Sequence, residues 1–492
     1  RNKKRNTGSR GMRRWKINIC SDFKKKRIDT VDSSFYSKIS EWYSWYRSNV
    51  RKFHVYRIYG GQGTWTKCHR HSLGMPKKVC EDMANLLLNE RVKVTLSDET
   101  TNTFVKEVLQ KNDFWNIGNE YQERKAATGT VAYIPYLDNM DVDEAGNVHG
   151  GEVRINYLEA PNIFPLSWNN REITECAFLF PHTYNRKKYV QIQFHRTEKA
   201  GEAAGNYIIE NVVVECTNGA GKELTPEQWN ALPPFEGLAD RIETGSKEPQ
   251  YVIDRLNLVN NAAEDDNNPM GMSLLANSID VFRKIDLEYD SYANEFDLGR
   301  KRIFVAPEML EDKDGNPTFD TGDTVFYRLP DDYLKDSKEP IKEIDMTLRV
   351  EQHSKAINDD LNYLSMKCGF GTQRYRFEQG GVTTATEVIS ENSDMYRTLQ
   401  KHEIVLDAVL KRLIKIIIRL GIVAKVPGLS EETEITIDFD DSIIEDKQTE
   451  RKEDRQDVAM GVMSLAEYRA KWYGETEEQA AKKIPEQTGV IP

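Results

Sequence analysis

Two segments with helical periodicity, separated by a short β-rich insert, constrain the fold of this chain more than any other feature. The first predicts a helix from Ser273, a good N-cap residue, to Asp297, roughly 35 Å long. The second predicts a helix that begins near Thr347. Together they predict a stalk of two helices with a small β unit at its far end. The apolar stripe of the first helix, in steps of three and four residues, is Leu275, Ile279, Phe282, Ile285, Tyr289, Tyr292 and Phe296. The stripe of the second is Val350, Ile357, Leu361 and Leu364.

The insert between these helices is predicted to be a small β unit. Residues 302–306 predict a strand, residues 312–317 a turn, and residues 324–329 a returning strand. Residues 335–340 predict a polar loop that leads into the second helix.

A glycine-bracketed loop, residues 369–381, follows the second helix. It carries Gln373, Arg374, Arg376 and Glu378. Glycine gives the backbone freedom, arginines can meet phosphates transiently, and the glutamate limits the net attraction. The pattern fits a surface past which DNA slides, and it also fits a solvated loop with no nucleic-acid role.

The remainder of the chain predicts a long helix, a strand and two short helices. Residues 384–387 match a capping box, and the long helix runs from there to about Leu420, with Gly421 ending it. Residues 434–440 alternate as a strand, and Ser464 starts the second of two charged tail helices. The buried face of the long helix is predicted to comprise Val388, Met395, Leu399, Leu406, Leu410, Leu413 and Ile417.

The first half of the chain predicts an α+β unit with a meandering sheet. Residues 34–45 and 77–88 predict helices, and residues 55–65 predict a strand leading into a glycine turn. Further strands are predicted at 130–136, 152–157, 174–180, 189–195 and 207–215.

Composition limits the classes of function. The net charge of −11 argues against duplex binding by counterion release, which needs clustered Lys and Arg, but it permits a conduit. An ordinary acidic cytosolic protein would have the same charge. The length of 492 residues predicts about three substructures. Six scattered cysteines indicate a reducing compartment, and no apolar run reaches the ~18 residues of a membrane span.

No catalytic pattern is convincing. Residues 60–67 contain glycines and a lysine without the spacing of a phosphate-binding loop. Cys68, His69 and His71 with Cys80 lack a second set of zinc ligands at the required spacing. Carboxylate pairs at 265–266, 331–332, 359–360 and 438–441 keep a metal-dependent nuclease or hydrolase open as an alternative function.

The order of these elements resembles the portal proteins of tailed phages that infect Gram-positive bacteria, of the Listeria and Bacillus siphophage type. Local sequence supports the resemblance at residues 77–90, at Gly271-Met-Ser273 with Asp280, Asp286 and Tyr289, and at residues 296–305. Residues 438–442 and 461–464 are also similar to that family.

The resemblance implies a portal fold and a division into regions. These are a wing (12–270 and 383–442), two stem helices (271–297 and 347–367), a clip (298–346), a tunnel loop (368–382) and a helical crown (443–492). It implies that Gln373, Arg374, Arg376 and Glu378 line the DNA channel. It implies that the stem packs through Phe282, Ile285, Tyr289, Tyr292, Phe296, Ile357, Leu361 and Leu364. It implies that the clip presents Arg300, Arg302, Phe304 and Phe326.

The resemblance also implies the partners. A ring of about twelve subunits at one capsid vertex would pass double-stranded DNA without sequence specificity during packaging and ejection. It would dock the terminase and the head–tail adaptor, and contact capsid and scaffold proteins. No enzyme activity, metal, cofactor or membrane is expected, and the location is the virion, with the host cytoplasm during assembly. Another virion structural protein is the remaining alternative, and the helical stripes would also suit a helix pair inside a monomer.

Overall fold

The computed structural model describes residues 23, 28–59, 64–89, 92–142, 148–199, 204–217, 220–298, 302–305, 326–328, 341–344, 347–372, 374–375, 385–439, 447–473 and 480–481. Its helices are α1 (Ser33–Tyr46), α2 (Arg51–His54), α3 (Met75–Leu87), α4 (Glu99–Lys111), α5 (Phe114–Thr128), α6 (Pro226–Asn230), α7 (Ile279–Leu298), α8 (Val350–Lys367), α9 (Ala385–Val423), α10 (Lys447–Met460) and α11 (Leu465–Tyr473). Its strands up to the middle of the chain are β1 (Val55–Tyr59), β2 (Trp65–His69), β3 (Lys93–Leu96), β4 (Thr130–Asp138), β5 (Asp141–Val142), β6 (Val148–His149), β7 (Glu152–Glu159), β8 (Ile163–Asn169) and β9 (Glu172–Tyr184). The later strands are β10 (Lys187–Thr197), β11 (Tyr207–Thr217), β12 (Ala220–Glu223), β13 (Arg241–Glu243), β14 (Val252–Arg255), β15 (Arg302–Val305), β16 (Phe326–Arg328), β17 (Ile341–Ile344) and β18 (Ile435–Asp438).

The predicted meandering sheet is confirmed. Strands β8 to β12 lie side by side in chain order, each antiparallel to the next, and β13 pairs with β11. Alternating apolar residues such as Ile192 and Phe194 close a hydrophobic core against α1, in which Trp42 is buried. Trp42 and Trp45 are therefore core residues.

A second core joins distant parts of the chain. The three-stranded sheet β14–β4–β7 packs against α5 and the long helix α9, and β18 pairs with β3. At its centre the Lys125 ammonium lies 3.0 Å from the Asp254 carboxylate, and both side chains are almost fully buried. Gln122 donates a second hydrogen bond to the same carboxylate. Burial lowers the pKa of Lys125, while Asp254 opposes that shift.

Helices α4 and α5 were not predicted from the sequence. Asp98 caps α4 by accepting a hydrogen bond from the Thr101 N–H at 2.8 Å, and Val105, Val108 and Leu109 form its buried face. Helix α5 buries Gln122 and Lys125 in addition to small residues, so its polar core positions conceal the helical pattern.

The prediction that Gly421 ends the long helix is wrong. Helix α9 continues to Val423. A side chain at position 421 would meet the Phe104 ring and a Leu429 methyl group, each 2.6 Å from its Cβ. The glycine is there because neighbouring side chains approach the helix closely.

The predicted start of the first stalk helix is also wrong. Helix α7 begins at Ile279, after a 3-10 turn at Ala276–Ser278. The Ser273 hydroxyl donates to the carbonyls of Ala126 and Ala127 at 3.0 and 2.8 Å, and it accepts from Leu275 N–H. Ser273 therefore fastens the connecting segment to α5 instead of capping α7.

The insert between α7 and α8 is β-rich as predicted, but its topology differs. Strand β16 runs parallel to β15, so it is not the returning strand of a hairpin. The antiparallel partner of β15 is β17, which the sequence reading missed. A parallel pair needs a crossover connection, which local sequence patterns do not reveal.

The tail helices follow the prediction. Ser464 and Glu467 form a reciprocal capping box: Ser464 N–H donates to the Glu467 carboxylate at 2.7 Å, and Glu467 N–H donates to the Ser464 hydroxyl at 3.1 Å. In the parts of the chain that are described, no helix combines the length and the apolar character that crossing a bilayer requires.

Candidate functional site

Helices α7 and α8 pack side by side, and one end of the pair lies inside the subunit. Phe282 and Ile285 on α7 are 1% and 0% exposed, and Leu361 and Leu364 on α8 are 2% and 0% exposed. These residues belong to the same core as α9 and the β14–β4–β7 sheet. We call this part of the pair the inner end. Ile357, also predicted to pack here, is buried as well.

The opposite end of the pair is uncovered. Tyr289 and Tyr292 are only partly buried, and Phe296 is 49% exposed. Leu348 and Val350, which lead into α8, are 39% and 40% exposed. We call Phe296, Leu348 and Val350 the outer end. The apolar stripe thus continues from the buried part of the pair into a part where its side chains are partly exposed.

A second uncovered apolar group lies on the sides of the two helices. Leu287, Tyr363 and Met366 are 46%, 48% and 54% exposed. We call these three residues the lateral face. Single exposed apolar residues are normal on a protein surface, but the lateral face adds three to those of the outer end on the same helix pair.

Charged contacts fix the register of α7 against α8. Lys284 donates to Asp360 at 2.8 Å, and this hydrogen bond raises the pKa of Lys284. Near the outer end Arg349 donates to Glu295 at 2.9 Å, and His353 contacts the same carboxylate. The Arg349 bond is the first cause of the lowered pKa of Glu295.

The other side of α7 holds two buried carboxylates that bind the β1–β2 hairpin and the segment after it. Asp286 lies 3.0 Å from the His54 Nε2 atom and accepts Leu73 N–H at 2.9 Å. Asp290 accepts His71 N–H at 2.9 Å and lies 3.5 Å from the Arg70 guanidinium. These contacts attach the segments on both sides of the hairpin to α7.

The role of these two carboxylates was missed in the sequence, although one signal was present. Asp286 and Asp290 are four residues apart on one face of α7. Residues 42–80 contain no Asp or Glu but several Arg, Lys and His residues. A basic segment of that length in an acidic chain needs acidic partners elsewhere, and α7 supplies them.

The glycine-bracketed loop begins against the core. Gly369 has φ +82°, and a Cβ there would lie 2.6 Å from Thr398, so the position requires glycine. The Arg374 guanidinium lies 3.8 Å from the Asp82 carboxylate and contacts the Met395 sulfur at 3.9 Å. Burial raises the pKa of the neighbouring Tyr375. Gln373, Arg376 and Glu378 lie outside the described residues.

The predicted clip residues are placed only in part. Arg302 and Phe304 lie on β15 and Phe326 lies on β16, with Ile303 opposite Phe326 in the parallel register. Arg300 lies outside the described residues.

Two of the carboxylates that suggested a nuclease make local contacts. Asp265 accepts Asn267 N–H at 2.9 Å, and Asp360 accepts from Lys284. Cys80 is buried, whereas His71 contacts Asp290. Within the described residues, no group of three or more His, Cys, Asp and Glu side chains is arranged to hold a metal ion. Asp331, Asp332, Asp440 and Asp441 lie outside those residues.

Comparison with known proteins gives one family. Residues 25–489 match the family model described as "Phage portal protein, SPP1 Gp6-like". A solved structure described as "Neck of native GTA particle computed with C12 symmetry" is similar at 11% sequence identity, with 80% of this chain and 88% of that chain covered and a TM-score of 0.40. No curated protein matched the chain.

Proposed function

This chain belongs to the SPP1 Gp6-like family of phage portal proteins, and from that premise we propose how its regions serve the ring. The protein is a structural component of the virion and not an enzyme. It forms the head–tail connector ring at a capsid vertex. The division of the chain, its contacts and its partners are our proposals.

We assign the regions as a wing (12–270 and 383–442), a stem (271–297 and 347–367), a clip (298–346), a tunnel loop (368–382) and a crown (443–492). Two observations support the split wing: β18 pairs with β3, and α9 packs against β14 and β4. Two observations support the stem and clip: α7 packs against α8, and β15, β16 and β17 form their own sheet between them.

Our proposal for ring assembly rests on the exposed apolar side chains along the stem. The stem would pack against its neighbours through Phe296, Leu348 and Val350 of the outer end and Leu287, Tyr363 and Met366 of the lateral face. A closed ring needs two different patches on each subunit that fit each other, and two separate uncovered groups meet that need. We propose about twelve subunits in the ring.

We assign each proposed partner to one region of the chain. We propose that double-stranded DNA passes through the channel without sequence specificity, in packaging and in ejection. The clip would dock the terminase and later the head–tail adaptor, the wing would contact capsid and scaffold proteins, and the crown would face the capsid interior. We propose a phage of a Gram-positive host, of the Listeria and Bacillus siphophage type.

Negative-stain electron microscopy of the full-length protein tests the assembly. We expect rings with a central hole, which would be lost or destabilised when Phe296 and Met366 are both replaced by Ser. A strictly monomeric wild-type protein at high concentration and at several salt concentrations would contradict the proposed contacts.

The tunnel loop needs its own test because Arg374 already has a carboxylate nearby. We propose that Arg374 meets DNA phosphates only in part, because Asp82 at 3.8 Å partly neutralises its charge. Replacing Arg374 and Arg376 by Glu should leave the ring intact and impair packaging or retention of DNA. Arg376→Glu alone should reproduce most of that defect, whereas failed assembly with normal packaging in residual rings would contradict the placement of the loop.

A further inference from the structure

A cavity of about 600 Å³ opens in the wing, and its described lining contains no residue of the stem or the loop. It lies between the turn that joins β8 to β9, strand β14 and the C-terminal half of α9. These three parts of the chain are far apart in sequence, and each contributes at least one cationic side chain. The cationic residues in the wall are Arg171, Arg255, Arg412, Lys415 and Arg419.

The carboxylates in the wall do not neutralise these cations. Glu172 lies 3.6 Å from Arg412, and Glu248 lies 4.0 Å from Arg419. Glu172 and Arg412 are both about two-thirds exposed, so their pair contributes little and separates easily. Arg419 is also bound by Glu431, outside the cavity wall, at 2.5 Å.

Three of the cations have no carboxylate partner among the described residues: Arg171, Arg255 and Lys415. Arg255 is the most enclosed of them. Its guanidinium donates to two backbone carbonyls, that of Arg171 at 2.9 Å and that of Pro269. Burial, followed by the repulsion of Arg171, lowers the pKa of Arg255 to about 10.

This arrangement is unfavourable for an empty cavity. Like charges that face one void repel each other, and the attraction of Asp254 and Glu172 does not offset the cost of burying the Arg255 charge. A bound anion would remove both costs. Guanidinium groups bind planar or tetrahedral oxyanions through two parallel hydrogen bonds. One carboxylate carries a single negative charge, which is too little to balance three cations that lack a carboxylate partner.

We propose that this cavity is a binding site for a phosphate-bearing anion. Arg255 holds the anion at the floor of the cavity, Arg171 contributes from the turn, and Arg412 and Lys415 close over it from α9. The phosphate comes either from a small free polyphosphate or from the backbone of the phage DNA. The shared chemistry is the phosphate group, and its source is decided by experiment.

Isothermal titration of the full-length protein with inorganic pyrophosphate, at constant ionic strength, tests the site. We expect saturable binding that weakens about tenfold or more in the double variant Arg412→Gln/Lys415→Gln, because two charge-assisted hydrogen bonds are lost. Both residues are exposed, so the variant is expected to fold. The matched control is Lys401→Gln, which removes an exposed cation from α9 outside the cavity and should leave the affinity unchanged.

A short DNA duplex added as competitor identifies the source. Displacement of pyrophosphate by duplex in the wild type and the control, but not in the double variant, would indicate DNA phosphates. Binding of pyrophosphate that duplex leaves unaffected would indicate a small free anion. The proposal is overturned if pyrophosphate does not bind, or if it binds the double variant as tightly as the wild type.

Discussion

The inner and outer ends of the stem are built from one continuous apolar stripe, yet they have different surroundings. At the inner end Ile285 and Leu364 are fully buried in the core shared with α9. At the outer end Phe296 and Val350 are 49% and 40% exposed. The same residue pattern therefore has two settings: the inner end is buried and stabilises the subunit, whereas the outer end is partly exposed, as the proposed contact with neighbouring copies requires.

This difference shows that helical periodicity alone does not distinguish residues of the subunit core from residues of an interface between subunits. The stripe of α7 predicts which residues share a face of the helix, but what covers that face depends on the rest of the fold. The comparison makes a general prediction: substitutions at the inner end should act on folding, and substitutions at the outer end should act on assembly.

The largest effect is expected for Leu364→Ala at the inner end. Leu364 is fully buried in the core shared with α9, so its truncation leaves a cavity and lowers the free energy of unfolding by about 4 kcal/mol. Val350→Ala, at the outer end of the same helix, is the matched control and should cost under about 1 kcal/mol. Urea titration followed by circular dichroism measures both, and equal losses would remove the distinction between the two ends.

The next effect concerns the attachment of the hairpin to α7. Asp286→Ala leaves Leu73 N–H and His54 without their acceptor in a buried position, so we expect a loss of about 3 kcal/mol. Asp286→Asn keeps an oxygen that can accept from Leu73 and should lose less. Hydrogen exchange of the amides of residues 55–73 should accelerate in the Ala variant. Unchanged exchange there would mean that the hairpin is held by other contacts.

The core around α9 should also respond to pH, through a buried histidine. His402 is 2% exposed and accepts Asn257 N–H, and burial lowers its pKa to about 3. Because the unfolded value is about 6.5, the unfolded chain binds more protons between those limits. The stability that neutral His402 contributes is therefore complete above about pH 6.5 and falls by about 2 kcal/mol by pH 5.

His402→Asn tests this titration because asparagine can still accept from Asn257 without gaining a proton. The loss of unfolding free energy between pH 7.5 and pH 5 should shrink by about 2 kcal/mol relative to the wild type. The exposed His69→Asn is the control, and urea titrations at the two pH values give the comparison. The dependence would not disappear, because burial also lowers the pKa of His195 to about 3. An unaltered pH dependence would show that His402 is protonated in the folded protein.

Local features of the stem could be read from the sequence, whereas long-range ones could not. Helix spacing placed Phe282, Leu361 and Leu364 correctly because it needs only neighbouring residues. It misplaced the start of α7, because Ser273 makes its hydrogen bonds to the carbonyls of Ala126 and Ala127. The rule that glycine ends helices failed at Gly421 because Phe104, a residue far away in sequence, packs against it.

In the candidate sites, too, the contacts between residues far apart in sequence could not be predicted from local patterns. The bond between Asp286 and His54 joins residues 232 positions apart, so periodicity gave no reason to pair them. The cationic cavity combines Arg171 and Arg255 with Arg412, Lys415 and Arg419; the last three share one face of α9, but nothing local in the sequence pairs them with the other two. Family resemblance supplied the order of the regions, and the contacts within them required the structure.

The smallest effect on folding, and the sharpest test of the comparison, is expected for Phe296→Ser at the outer end. The ring of Phe296 contacts Tyr292 at a centroid distance of 5.3 Å but is otherwise half exposed, so the free energy of unfolding should change by under about 1 kcal/mol. Ring formation should weaken about tenfold or more, since a polar residue then lies where a neighbouring subunit should bury an aromatic one. Sedimentation velocity over a dilution series measures the assembly, and Ser291→Ala, an exposed change on the same helix, is the control. If Phe296→Ser destabilised the subunit as strongly as Leu364→Ala while its rings persisted on dilution, the outer end would belong to the subunit core, and the ring would have to be held together elsewhere.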